Sequence, residues 1–490
     1  MRGVRYVLCV GVGGVVISGG AHGADLPVKA SPAEYVKVCA TYGAGYFYIP
    51  GTDTCLKIGG LARVDAYVNA VGTFIPTIVS PSAATAFNGP GTAGGFGYPF
   101  RDDDDPQYLT RARAVTEFDA RTQTEYGTLR SYVRFGAEWN SQAGAGVGAG
   151  SALYFERAFI QFSGFTFGYT QSFFDPGLDY MMTVPFTGSY NWTTLAAYTA
   201  QVGGGLSATV SIEDAANRTT GVQLTGSTVQ PIFNINTVAT GLSYTNFQAG
   251  QQLPDFVANI RLDQAWGTAQ ISGALHQVVA TSPFYAGFVP GVNSSDMWGW
   301  AIGAHVEVKL PMLAPGDSAF IQASYEQGGA NFLGLSGAGQ ARSVAVGAID
   351  LQQVGGGLSG TGAFYNIADA VATNLLGDYS LTSGWAVQGQ FRHYWVPTVR
   401  SAFALGYVSY QVPQNIVAAF DFNLYQAVFN TIWSPVKNVD VGFEVLYTKV
   451  DGSVPLGNYS AVNATGGFQG SLVGGSTDIW SGGVRVQRIF

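Results

Sequence analysis

From about residue 55 to the end, apolar and polar residues alternate with period two, in runs of about ten, the pattern of strands with one greasy and one wet face. In 438–449, Val439, Val441, Phe443, Val445 and Tyr447 share one face and Asp440, Glu444 and Thr448 the other. In 55–69, Leu56, Ile58, Ala62, Val64 and Val68 oppose Lys57, Arg63, Asp65 and Asn69. No long amphipathic helix stands out. Two kinds of connection separate the runs. Short turns are predicted at 125–127, 163–164, 203–204, 266–267, 311–317, 396–397 and 434–438. Long stretches rich in Gly, Ser, Thr, Asn and Pro lie between them, at 70–108, 172–192, 214–254, 280–296, 327–381 and 450–476. Seven hairpins, one strand before them (55–69) and one after (477–490) make sixteen strands. An even count, with short turns at one end and long loops at the other, predicts an all-β, 16-stranded antiparallel transmembrane β-barrel. Loops beyond about 12–15 residues are uncommon in compact soluble domains.

A soluble sandwich alternates too, with its apolar face in the core. Two features favour the barrel: arginines gather on the polar faces, and Trp139, Trp192, Trp266, Trp298, Trp395, Trp433 and Trp480 crowd strand ends, as interface girdles would. Composition agrees. The chain is 47% hydrophobic but only 11% charged, against an average near 25%. That excludes intrinsic disorder. No stretch beyond residue 20 supplies the roughly 18 apolar residues of a membrane helix. A net charge of −8 argues against a nucleic-acid partner.

Residues 1–23 read as a signal peptide: Arg2 and Arg5 precede an apolar stretch, and Ala21-His22-Gly23 offers a small-residue cleavage site. An N-terminal membrane anchor is the other reading of this stretch. Without the signal the chain carries 21 basic and 31 acidic residues, a balance of −10, and two cysteines. In an exported protein Cys39 and Cys55 are most simply a disulfide, which ties an N-terminal periplasmic segment, 24–54, to the start of the barrel domain at 55–490. A two-cysteine metal site is the alternative.

Specific motifs add to this. The segment Glu34-Tyr35-Val36-Lys37-Val38-Cys39, continuing to Pro50-Gly51-Thr52-Asp53-Thr54-Cys55-Leu56-Lys57-Ile58, resembles the mature N-terminus of the outer-membrane porins of rhizobia, brucellae and other α-proteobacteria. The hairpin 117–130, the stretches 158–162 and 171–175, His393-Tyr394-Trp395 and the terminal 487–490 are similar to that family as well. Arg488 departs from the usual apolar residue two positions before a terminal aromatic. The resemblance implies a homotrimer in the outer-membrane bilayer that passes small hydrophilic solutes and ions, with a third external loop folded inward.

Parity places the pore charges. Arg111, Arg113, Glu117, Asp119 and Arg121 share a face, as do Arg130, Tyr132, Arg134 and Glu138; Arg157 and Gln161 follow, and Arg63 joins from the first strand. Arginine on the lipid face would cost about 2–4 kcal/mol each near mid-bilayer, so the lumen is the cheaper side. The loop 172–192 carries Asp175 and Asp179. If it enters the lumen, its acids face the arginine wall and set up a transverse field at a constriction. Alternatively, some of these arginines only neutralise Glu117, Asp119 and Glu138. The run Asp102, Asp103, Asp104, Asp105 reads as a solvated loop or pore rim, with a divalent-ion site as the other reading.

Catalysis finds little support. His276, His305 and His393 lie far apart, no Ser/His/Asp set can be read, and no motif points to a cofactor. Besides the channel, a structural or adhesive barrel whose long loops bind a partner stays open, as do an outer-membrane hydrolase and a plugged receptor.

Overall fold

The computed structural model describes residues 37–68, 70–71, 75–76, 108–141, 150–182, 187–225, 244–246, 248–280, 295–335, 367–373, 378–413, 421–452, 460–462, 468–471 and 476–490. The predicted signal peptide and the acidic run at Asp102–Asp105 lie outside the described residues. The barrel strands are β1 Cys55–Val68, β2 Tyr108–Thr124, β3 Gly127–Asn140, β4 Gly150–Phe162, β5 Phe165–Gln171, β6 Trp192–Gly203, β7 Leu206–Glu213 and β8 Asp255–Gln264. They continue as β9 Gly267–Ala280, β10 Ser295–Lys309, β11 Ser318–Gln327, β12 Ser383–Val396, β13 Val399–Gln411, β14 Phe422–Val436, β15 Val439–Gly452 and β16 Ser476–Ile489.

Each strand pairs antiparallel with the next, and β1 pairs with β16 from Leu61 opposite Ile489 to Val68 opposite Gly482. The sheet therefore closes into the 16-stranded barrel that the alternation predicts. Closure matters because hydrocarbon offers no partner to an open strand edge.

Burial is inverted relative to a soluble protein. On β7, Ser207, Thr209, Ser211 and Glu213 are buried, while Val210 (61%) and Ile212 (50%) are exposed. On β9, Gln270, Ser272 and His276 are buried and Ile271 and Leu275 exposed. The apolar faces look outward to lipid and the polar faces inward.

The seven predicted turns all join consecutive strands at the periplasmic end. Ser163 and Gly164 have φ of 49° and 85°, and Gly204 and Gly205 of 59° and 80°. Two successive positive φ values are what a type I′ hairpin requires. The turn expected at 434–438 is tighter: β14 runs on to Val436, with a register shift between Trp433 and Val436, and leaves only 437–438 to turn. Trp139, Trp266, Trp298, Trp395, Trp433 and Trp480 are exposed at strand ends, as a girdle requires. Trp192 departs from that expectation, because its ring lies 4.5 Å from the Arg157 guanidinium instead.

At the periplasmic end the segment 37–54 folds back on the mouth of the barrel. Phe47-Tyr48 pairs with Leu56 and Cys55, and the Cys39–Cys55 disulfide fixes its start. The rings of Tyr42 and Tyr46 lie 5.7 and 5.2 Å from the Arg121 guanidinium. Burial, and then a hydrogen bond with Asp119, push the Tyr46 phenol up to about 12.

The disulfide closes a loop with a sequence separation of 16. Replacing Cys39 and Cys55 with serine is expected to cost about 3 kcal/mol of chain entropy. The expected readout is a segment 37–54 that becomes cleavable by protease while the barrel strands stay protected.

Candidate functional site

The third loop, 172–191 between β5 and β6, places its described residues inside the barrel, against inward-facing residues of β1, β2 and β8–β15. Its residues are described up to Met182 and again from Thr187. It is held by an apolar patch on the lumen side of β8–β15. Phe174 packs with Val257, Ala274, Ala301 and Phe332, and Tyr180 and Met181 pack with Phe320, Ala402, Ala404, Val428 and Leu446. Met182 reaches Tyr67 and Leu109. Two glycines make room for it: a Cβ on Gly303 would sit 3.0 Å from the Phe174 ring, and one on Gly442 2.6 Å from Met182 Sδ.

Irregular backbone inside a barrel must find hydrogen-bond partners. Here the wall supplies them. The Tyr180 amide donates to Gln390 Oε1 (2.8 Å) and the Met182 amide to Glu444 Oε2 (2.5 Å). Asn259 Nδ2 donates to Phe173 O (2.6 Å), and Asn430 Nδ2 to Tyr180 O (3.0 Å). The Tyr180 hydroxyl donates to Glu307 and accepts from Ser318, both at 2.7 Å.

The base of the loop is a buried ion pair. Asp175 accepts hydrogen bonds from Ser189 Oγ and the Asn191 amide, both at 2.5 Å, and from Arg218 Nη2 at 3.1 Å. Arg218 belongs to the fourth loop, 214–254, and its guanidinium lies 4.1 Å from the Phe332 ring of the sixth loop, 328–382. Nearby, Asp369 of the sixth loop accepts from the Thr220 amide and hydroxyl, each at 2.7 Å, and from the Ala330 amide at 3.1 Å. His276 bridges Asp255 (2.6 Å) and Asp369 (3.7 Å). The described parts of the third, fourth and sixth loops are thus interlocked.

Across the lumen stands the arginine wall. The lumen side of β1–β4 and β16 carries Arg63, Arg111, Arg113, Arg121, Arg130, Arg134, Arg157 and Arg485 with Asp65, Glu117, Asp119, Glu138 and Glu156. Eight guanidinium groups face five carboxylates. Arg111 binds Asp65 through Nε (3.1 Å) and Nη2 (2.7 Å), and Arg485 binds the other oxygen of Asp65 (2.7 Å). Arg113 pairs with Glu138, Arg121 and Arg130 share Asp119, and Arg134 bridges Glu117 and Glu156. Arg63 has only Asp65 at 3.4 Å. Arg157 has no carboxylate within 4 Å among the described residues and stacks on Trp192.

The predicted arginines therefore do stand together on one wall, and the alternative reading, neutralisation by Glu117, Asp119 and Glu138, describes Arg113, Arg121, Arg130 and Arg134 as well, with Arg111 at 3.9 Å from Glu138. Of the two loop acids, Asp175 departs from the expected place: its charge is taken by Arg218, and it clamps the loop instead of facing the wall. Asp179 accepts from the Met181 amide at 2.9 Å. Glu156 is a member of the wall that parity reasoning missed. A bulge sets Arg134 opposite Arg157 but Phe135 opposite Phe155, so Glu156 and Arg157, adjacent in sequence, both face inward.

A family model described as a porin subfamily matches residues 25–470. The chain belongs to that porin subfamily. Relatives include outer membrane protein y4fJ of Sinorhizobium fredii, 36% identical over 162 residues, which span 33% of this chain and 40% of y4fJ. Porin Omp2b of Brucella canis is 27% identical over 321 residues, 63% of this chain and 75% of that porin. Among solved structures, the outer membrane channel DcaP of Acinetobacter baumannii shares the fold, with a TM-score of 0.55, 16% identity, and coverage of 90% of this chain and 99% of that one. Family and fold together place the porin in the outer membrane, and they set aside the hydrolase reading, since porins are channels and not enzymes.

Arg218→Ala would leave Asp175 buried and unpaired, a loss of about 3–5 kcal/mol. The loss falls on the loops, because the barrel ladder is untouched. Protease sensitivity within 172–191 is expected to rise sharply while the barrel still resists detergent at room temperature.

Proposed function

We propose that this porin is a passive channel for small hydrophilic solutes and ions, in which the third loop and the arginine wall together form the selective constriction. The observation that carries the reading is the asymmetry of the lumen. Described residues of the third loop are seated on apolar wall residues of β8–β15, whereas β1–β4 and β16 hold eight arginines against five carboxylates. Solutes then pass between a loop that carries Asp179 and a wall with an excess of three guanidinium groups. The field between them orients dipolar solutes and water, and an apolar solute must displace that water. No covalent step is needed: solutes move down their gradients, and bore and charge decide which ones pass.

We also infer a homotrimer. On the outer face of β1–β3, a hollow lined by Ala62, Ala112, Ala114 and Ala137 lies beside Val64, Trp139 and Val486. Small residues let neighbouring membrane elements approach closely, and the larger ones beside them give the contact its area.

Planar-bilayer recordings in a salt gradient test the constriction. Replacing Arg113 and Arg157 with serine removes two cations and frees Glu138, so the reversal potential is expected to move toward cation preference relative to the wild type. An unchanged reversal potential would remove the wall from the selectivity filter.

A further inference from the structure

The wall's charges are unevenly compensated, and the imbalance is concentrated in one place. Arg63 and Arg113 stand directly opposite each other on β1 and β2, with Asp65 and Arg111 as the next inward-facing pair. Arg485 of β16 lies opposite Asp65 on the other side. Four guanidinium groups thus share two carboxylates, Asp65 and Glu138. Asp65 bonds Arg111 and Arg485 at 2.7 Å each and leaves Arg63 at 3.4 Å without a hydrogen bond. Glu138 is committed to Arg113 and stands 3.9 Å from Arg111 Nη1.

The groups left without a partner share one chemistry. Arg63 Nε and Nη2, Arg111 Nη1 and the Tyr154 hydroxyl are buried with no hydrogen-bond partner. Tyr154 comes from β4. A Cβ on Gly136 would sit 2.5 Å from the Tyr154 hydroxyl, so the ring lies across the glycine, and it stacks 4.7 Å from the Arg113 guanidinium. At the rim, Asn140 Oδ1 is an acceptor without a partner, on an amide that donates to Glu138. Burying unpaired charge is costly, and like charges opposite each other on paired strands repel. A wall that keeps two surplus cations and several orphan donors together is built for something that brings acceptors and negative charge.

We propose that Arg63, Arg111, Arg113 and Tyr154 form a binding site for a doubly charged oxyanion of the size of inorganic phosphate. Guanidinium forks match the oxygens of such an anion in paired hydrogen bonds, which chloride cannot accept in the same geometry. The donors are buried, so binding requires the side chains around them, Tyr154 beside Arg113 among them, to shift. Arg485 donates to Met182 O at 3.3 Å, which puts the cluster beside the far end of the third loop. The inference rests on the channel reading, because the ligand reaches the cluster through the lumen.

The test is calorimetric titration of the purified full chain in detergent at low ionic strength and pH 7.5, with sodium phosphate as the probe and sodium chloride as the comparison. Phosphate is expected to bind once per chain, at least tenfold more tightly than chloride. Arg63→Gln should weaken it at least tenfold. Tyr154→Phe, which removes one donor and no charge, should weaken it severalfold and guards against an Arg63 variant that does not fold. Equal affinity for the two anions overturns the proposal, and so does a phosphate titration unaltered by Tyr154→Phe. Failure of the channel reading appears separately, as absence of conductance steps in bilayers from the same preparation.

Discussion

Hydrocarbon supplies no hydrogen bonds, and that one fact sets the architecture. Every backbone N–H and C=O at membrane depth must be satisfied within the protein. A sheet meets this demand only by meeting itself, which the ladder between β1 and β16 achieves. Once the sheet is closed, period-two alternation has only two destinations. Val210, Ile271 and their like go to lipid, and glutamines, serines and charged residues go inside. The inverted burial is a consequence of closure.

The interior then faces the opposite problem. A polar lumen can hold charge, but each charge carried away from bulk water needs compensation. The third loop and the wall solve this differently. The loop uses neutral wall groups such as Gln390, Asn259 and Asn430 to satisfy its backbone, and it confines its own buried acid to a single ion pair with Arg218. The wall compensates by sharing: one carboxylate serves two or three guanidinium groups, as Asp65 does for Arg111, Arg485 and Arg63. Sharing leaves residual positive potential along β1–β4, whereas one-to-one pairing leaves little. The strands most crowded with charge are therefore also the ones whose charge is least completely compensated.

How far this was legible in the sequence depends on the range of the interaction. Strand count, turns and inward parity are local, and the alternation from Leu56 to Val68 or from Val439 to Tyr447 states them directly. The disulfide could be read because two cysteines leave one pairing. The bulge at Glu156 is invisible to a parity rule, since it is the point where parity fails. The anchoring of Asp175 is not legible locally, since its partner Arg218 lies 43 residues away, beyond two further strands. Asp65 and Arg485 are separated by 420 residues and meet only because the barrel closes. Trp192 resembles a girdle residue by composition, yet it follows a loop that turns inward and takes a cation in place of the interface.

The interlocking of loops bears on how the bore is held. A loop tethered only at its two ends would sample many positions, and its charge would be averaged over them. Here the third loop is fixed at its base by Arg218 of the fourth loop and roofed by Phe332 of the sixth, whose own position depends on Asp369 and its bonds to Thr220 and Ala330. From Phe174 to Met181 it is seated on the apolar patch of β8–β15. Selectivity by field requires charges at fixed separation, because a displacement of a few ångströms in low dielectric changes the interaction several-fold. The described parts of the third, fourth and sixth loops therefore hold one another in place, through Arg218 on Asp175 and Phe332 and through Asp369 on Thr220 and Ala330, while shared carboxylates hold the arginines of the wall.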